Sequence, residues 1–236
     1  MIEQQTTPTL PIHGVSRCPS INFFNVDCIE FMKSKPDKYY DLAIVDPPYG
    51  IGQHGTIGFA TKKTKGFTFN KKEYKNKEWD NEIPTAEYFE QLFRVSKNQI
   101  IWGANYFIKE LPNLKNFIYW HKKGQSADDK FNEGEIAFTS IGRSRMFEIW
   151  WNGFGTINSG ENRIHPTQKP KKLYRMLLGE YAKEGFKILD THGGSMNSAI
   201  ACEIEGFDLD ICEIDTEYFQ AGVNAFNMHK RQMRLF

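Results

Sequence analysis

The chain has 236 residues, 40% hydrophobic and 25% charged, enough for one large α/β domain with a real core. Its 30 lysines and arginines stand against 29 aspartates and glutamates, so net charge announces no nucleic-acid binder and any basic surface must be local. The N-terminal MIEQQTTPTLPIHG lacks an apolar core, and no segment approaches about 18 uninterrupted apolar residues, which predicts a cytoplasmic protein, neither secreted nor inserted in a membrane.

In chain order, the first strand is INFF (21–24). Asp27 follows it, ahead of CIEFMKS, where it can N-cap a helix with Glu30 three residues on. Cys18, Cys28, Cys202 and Cys212 show neither Cys-x-x-Cys spacing nor histidine partners at ligand spacing, so reduced thiols and no metal are expected. The run LAIV (42–45) ends in Asp46, Pro47, Pro48, Tyr49 and Gly50. A run this short, bounded by such a breaker, reads as a buried strand stopping at Asp46. The breaker is then a loop at a strand's C-terminal end, the edge where α/β sheets bind ligands. The plainer alternative is a turn whose tyrosine packs on the core.

Residues 51–79 interrupt the pattern with seven lysines, two glutamates and several aromatics. A helix (85–96) and the strands QIIWG (99–103), FIYW (117–120) and EIAFT (135–139) come next. A second interruption, 143–168, is aromatic, Gly/Asn-rich and carries three arginines. The remainder reads as helix 170–184, strand FKIL (186–189), helix 197–206, strand LDICEI (209–214) and helix 216–232. Seven strands alternating with helices predict a doubly wound, mostly parallel, seven-stranded sheet.

FKILDTHGGSMNSAIACEIEGFDLDICEID has the layout of a nucleotide-binding βαβ unit: a strand ending at Asp190, a glycine turn, a helix, and a second strand ending in Glu213 and Asp215. Its glycines do not complete a dinucleotide fingerprint, and an ordinary tight turn is the alternative. The helix after Glu213 nearly ends the chain, so the third and fourth strands of such a sheet must come from INFF and LAIV at the other end. The fold then reads as circularly permuted, with the glycine turn beside the Asp-Pro-Pro-Tyr loop.

With VDPPYG, NRIHPTQKPKKLYRMLL and ILDTHGGSMNSAIACEIEGFDLDICEID in this order, and with NVDCIEFM and QIIWGANYF around the first, the chain resembles the β-class amino-methyltransferases of DNA over residues 21–220. The resemblance implies a Rossmann-like S-adenosyl-L-methionine-dependent fold over a single methyltransferase domain, 1–236, and an adenine-N6 methyltransferase acting on double-stranded DNA. It makes Asp46, Pro47, Pro48 and Tyr49 catalytic. For S-adenosyl-L-methionine it implies Asp190, His192, Gly194 and Ser195 at the methionine part and Glu213 at the ribose. Thr167, Gln168 and Lys169 correspond to the segment that closes over the methionine carboxylate, and Asp27 to an acceptor for the cofactor's adenine amino group. Lys169 can equally be a solvated lysine at a helix start, and Asp215 a helix cap. The family pattern Asp-Pro-Phe-x-Gly-Ser-Gly is replaced by Asp190-Thr191-His192-Gly193-Gly194-Ser195-Met196, and a Cβ at Met196 could crowd the ligand or forbid a positive φ.

The residue types suit that chemistry. An exocyclic amine on a nucleobase is a poor nucleophile because its lone pair is delocalised into the ring. Acceptors beside its N–H bonds localise the pair and stabilise the positive charge that develops. The Asp46 carboxylate and the Pro47 carbonyl would be those acceptors, the prolines would give a rigid segment without competing donors, and Tyr49 would stack on a flipped base. By the resemblance, aspartate rather than serine at the first position implies adenine; cytosine-N4 or RNA methylation, or a non-catalytic nucleic-acid-binding relative, are the alternatives. The lysines of 51–79 could contact phosphates or simply be solvated. Residues 143–166, with Arg143, Arg145, Trp150, Trp151 and Asn152, could read DNA, or the tryptophans could be core. So small a recognition region implies a short site, low specificity or a second subunit, as in a homodimer.

Overall fold

The structure, a computed structural model, describes residues 18–52, 80, 82–112, 115–123, 132–151 and 164–233. The elements run β1 (Ile21–Phe24), α1 (Cys28–Lys33), β2 (Tyr40–Val45), α2 (Ala86–Val95), β3 (Ser96–Trp102), β4 (Phe117–Lys123), β5 (Gly134–Thr139), β6 (Arg145–Trp150), α3 (Lys171–Tyr181), β7 (Lys187–Asp190), α4 (Asn197–Glu205), β8 (Asp208–Cys212) and α5 (Thr216–Met233). Among the described residues no helix is long and apolar enough to cross a membrane.

The strands form one sheet in the order β1-β8-β7-β2-β3-β5-β4-β6. β1, β8, β7, β2 and β3 are mutually parallel, β5 runs against β3 and β4, and β6 lies parallel to β4. The sheet therefore has eight strands rather than the seven expected. The additional one, β6, lies within the 143–166 region, where Phe147 and Ile149 alternate inward while Met146, Glu148 and Trp150 do not. That period-2 pattern is the strand signal masked by the surrounding glycines and asparagines. Trp151 is core at 5% exposure, whereas Trp150 is 46% exposed. Arg145 is tied to Glu180 of α3 at 2.6 Å, and Asn152 lies outside the described residues.

The central strand β2 is apolar because it is covered on both faces. Leu42 and Ile44 point into a cluster with Ile100, Trp102, Leu177 and Ala199 on the side of α3, α4 and α5. Ala43 and Val45 point the other way, against Tyr88, Phe89 and Leu92 of α2 and Met32 of α1. Asp27 caps α1, accepting from the backbone N–H groups of Ile29 and Glu30 at 2.8 and 3.0 Å. Gly206 ends α4 at φ 81, a left-handed position that glycine takes without a Cβ penalty.

Counting outward from the pair β7 and β2, the chain proceeds to β8 on one side and to β3 on the other. The winding reverses between them, and in open α/β sheets the crevice at that reversal, beyond the strands' carboxyl ends, is where ligands bind. Asp46 follows β2 and Asp190 ends β7 at this edge. β8 stops at Cys212, so the second strand does not run on to Glu213 and Asp215 as expected; both sit in the turn before α5, where Asp215 caps the helix by accepting from Glu217 and Tyr218 N–H at 2.9 and 3.0 Å.

Candidate active site at the carboxyl edge of the sheet

One cavity of about 640 Å³ opens at this edge, lined at one end by Asp46, Pro47, Pro48 and Tyr49 and at the other by Gly193, Gly194, Ser195 and Glu213. Its size falls within the range of small-molecule and cofactor sites. Every residue expected at the site except Asp190 lines it, and Asp190 lies directly beneath the glycine turn.

The loop after β2 is fixed by a residue the sequence did not mark. Asp80, 2% exposed, accepts from the backbone N–H groups of Tyr49 and Gly50 at 2.7 and 3.0 Å. Gly50 sits at φ 68, a left-handed turn that a Cβ would strain. Tyr49 then packs its ring against Gly103, with no room there for a Cβ, stacks on Tyr106 at 5.0 Å and 16°, and meets the edge of Phe107.

Around Asp46 lies a buried ionic cluster. The Lys169 ammonium, on a residue only 3% exposed, contacts Asp46 Oδ1 at 2.5 Å and Glu135 Oε2 at 3.0 Å. It also donates to the Tyr49 hydroxyl oxygen at 3.1 Å, while that hydroxyl donates to Asp46 Oδ1 at 2.6 Å. Lys122 holds the other Glu135 oxygen at 2.5 Å. Among the described residues, Asp46 Oδ2 takes no hydrogen bond, so one carboxylate oxygen is engaged and the other is available to the cavity. Lys169 is thus not the solvated lysine of the plainer reading; all three ammonium protons are committed beside Asp46.

The charges follow from the burial and the partners. Burial pushes the Asp46 carboxyl above its ordinary value; Lys169 opposes this and Glu135 adds to it, and the net direction is up. Burial pushes Glu135 the same way, but Lys169 and Lys122 outweigh it and hold its carboxyl down at about 2. Burial works against the Lys169 ammonium, yet the two carboxylates keep it charged.

At the other end, Gly193 N–H donates to the Cys212 carbonyl at 2.7 Å, which closes the glycine turn onto the end of β8. Each Glu213 oxygen accepts one backbone N–H, from Gly194 and from Asp215, both at 2.8 Å, which orients the carboxylate at the cavity wall. Gly194, at φ 48, has the His165 ring as its nearest neighbour in the direction a side chain would take, at 3.5 Å. Thr167 and Gln168 sit on the facing segment: Thr167 Oγ1 lies 3.2 Å from His165 Nδ1, and Gln168 accepts from Ile164 N–H at 3.0 Å. Asp27 caps α1 and lines the cavity as well, so its two readings are compatible.

Met196 answers the question its position raised. It does take a left-handed conformation, φ 58, at a cost of about 1–2 kcal/mol. Its side chain is fully buried, packed beneath Gly193 and against Gly222 of α5, where a Cβ on either glycine would overlap it. The cavity is left clear because the side chain is directed into the core.

Asp190 accepts from the Ser198 hydroxyl at 2.5 Å and from His192 N–H at 3.0 Å, yet burial raises its carboxyl to about 7. Burial also lowers His192 to about 4, so its imidazole is neutral at pH 7. A raised carboxyl contributes its stability below the unfolded value and loses it as pH rises towards 7. Asp190→Asn removes that ionisation. The wild type is therefore expected to fall behind this variant between about pH 4 and 7, by up to roughly 4 kcal/mol, in unfolding titrations. A pH-independent difference would show that Asp190 ionises normally.

A family model described as DNA methylase matches residues 88–224. The chain is 21% identical over 247 residues to the type II methyltransferase M.HpaI of Haemophilus parainfluenzae, covering 88% of this chain and 77% of that protein. Among solved structures, M1.HpyAVI in complex with SAM matches at a TM-score of 0.58 and 16% identity, over 88% of this chain and 99% of that one. The PvuII DNA methyltransferase, cytosine-N4-specific, matches at 0.55 and 16% identity, over 90% of this chain and 89% of that one. At such identities, the two structures show that the fold is shared.

Proposed function

The chain belongs to the DNA methylase family, and from that premise we propose that it transfers a methyl group from S-adenosyl-L-methionine to the exocyclic N6 of an adenine flipped out of double-stranded DNA. The observation that carries this reading is Asp46, whose Oδ2 takes no hydrogen bond among the described residues, in the same cavity as the glycine turn and Glu213. S-adenosyl-L-methionine, when bound, supplies a methyl group on a sulfonium.

The residues at the glycine end fit such a group. Glu213, oriented at the cavity wall by Gly194 and Asp215 N–H, would face the ribose hydroxyls, the bare Gly194 allows close approach, and Met196 points away. Asp190, His192 and Ser195 would surround the methionine part, Thr167 and Gln168 would face it, and Asp27 would accept from the adenine amino group. At the other end Asp46 Oδ2 and the Pro47 carbonyl accept from the two amine N–H bonds. This draws the nitrogen lone pair out of the ring and stabilises the positive charge on that nitrogen. Pro47 and Pro48 keep the segment rigid. Tyr49 stacks on the base. Tyr106 covers part of that ring in the free protein, so base entry displaces it.

Asp46 at the first motif position supports adenine. The topology, with the glycine-turn strand late in the chain and paired to β2, supports a circularly permuted arrangement in a single domain. Lysines of the 51–79 segment would contact phosphates, and the 143–166 region would take part in recognition; nearly all of the first and half of the second lie outside the described residues. Incubation with labelled S-adenosyl-L-methionine and unmethylated DNA, followed by nucleoside mass spectrometry, tests the reading. N6-methyladenine is expected. N4-methylcytosine would reverse the base assignment and keep the amine chemistry, and neither product on varied DNA would defeat the proposal.

A further inference from the structure

The carboxylate that accepts from the amine is not alone in its pocket. Glu135 comes from a strand that runs against its neighbours, so its first residues reach the edge where the parallel strands end. There the Lys169 ammonium is divided between Asp46 and Glu135. Lys122, from the end of β4, fixes the far side of Glu135 and supplies the second positive charge of a cluster with two cations and two anions.

We propose that Glu135 is a positioning residue for Asp46: by taking a share of the Lys169 ammonium it keeps Asp46 a strong acceptor, with Oδ1 tethered and Oδ2 turned to the cavity. This rests on the reading of Asp46 given above. An ammonium paired with Asp46 alone would neutralise the carboxylate and weaken it as an acceptor from the amine, because the buried pair is poorly screened. A pocket without Lys169 would leave two like charges facing each other, which is costlier still. The shared ammonium avoids both outcomes, and the Tyr49 hydroxyl, bonded to the same Oδ1, completes the tether.

Besides Lys169, Glu135 and Tyr49, the groups that act electrostatically with Asp46 are Asp190 of β7, Tyr174 of α3 and Tyr88 of α2. None of these three touches the shared ammonium through a direct contact among the described residues, so the variants below leave them in place.

The test follows the Asp46 carboxyl carbon by NMR through a pH titration of the protein without ligands. In Glu135→Gln the titration is expected to move to lower pH, because the anion that raises it is gone and Lys169 turns wholly to Asp46. In Lys122→Gln it is expected to move the opposite way, because Glu135 then leans harder on Lys169. Glu135→Gln should also lose about tenfold to a hundredfold in kcat, with Kd for S-adenosyl-L-methionine unchanged and the acid limb of the kcat profile displaced in the same direction as the titration. Unmoved titrations, or shifts of the same sign in both variants, would overturn the proposal, since a structural contact predicts neither shift. A wild type that fails to methylate DNA would defeat the methylase reading instead, while the titration still decides the role of Glu135.

Discussion

Asp46→Ala is expected to lower kcat for methyl transfer to DNA by on the order of 10²–10³, the loss typical when a preorganised group aimed at developing charge is removed. The substitution removes Asp46 Oδ2, which takes no hydrogen bond among the described residues and would, in the proposed reaction, accept from the incoming amine. It should do so without unfolding the protein. Lys169 keeps Glu135 at 3.0 Å and Tyr49 at 3.1 Å, so no buried ammonium is orphaned. The loop stays in place because Asp80 holds it through backbone N–H groups of Tyr49 and Gly50, which the change does not touch. Steady-state rates on unmethylated DNA, with circular dichroism as a check on folding, measure the effect. A variant within threefold of the wild type would remove Asp46 from the chemistry.

Glu213→Ala is expected to weaken S-adenosyl-L-methionine at least about a hundredfold, since a hydrogen bond to a charged group is worth roughly 1.5–3 kcal/mol and, in the proposed binding mode, two ribose hydroxyls would lose their acceptor. The glycine turn also suffers, because Gly194 N–H and Asp215 N–H lose the carboxylate that orients them. Calorimetric titration reads the loss directly. The thermal stabilisation that saturating ligand gives the wild type, about 2.7 kcal/mol at a hundred times Kd, should shrink in step. Glu213→Gln keeps one acceptor and should fall between the two; unchanged affinity in the alanine variant would place the ribose elsewhere.

The two ends of this site were legible for one reason: each is local. A short apolar run ending in Asp46 and a breaker, and a strand ending in Asp190 before glycines, are strand-to-loop patterns written in consecutive residues. The third and fourth strands of the sheet were assigned by elimination to INFF and LAIV, and β1 pairs with β8 and β2 with β7. Glu135, Lys122 and Asp80 were not legible. Glu135 and Tyr49 are 86 residues apart, and what brings them together is the reversed direction of β5, which no periodicity encodes. Read as one more parallel strand, β5 would put Glu135 at the opposite edge. The place of the Met196 side chain was not legible for a related reason. Its backbone conformation could be anticipated from the motif, but the space left by Gly222 on α5, which takes the side chain, lies in another element.

The central claim is that the Asp46 end performs the chemistry while the Glu213 end holds the methyl donor. It is tested most directly by measuring, in one Asp46→Ala preparation, both Kd for S-adenosyl-L-methionine and the single-turnover rate of label transfer to DNA. The account predicts the wild-type Kd with transfer reduced by on the order of 10²–10³; a variant that transfers at the wild-type rate, or that loses the methyl donor as Glu213→Ala does, would contradict it.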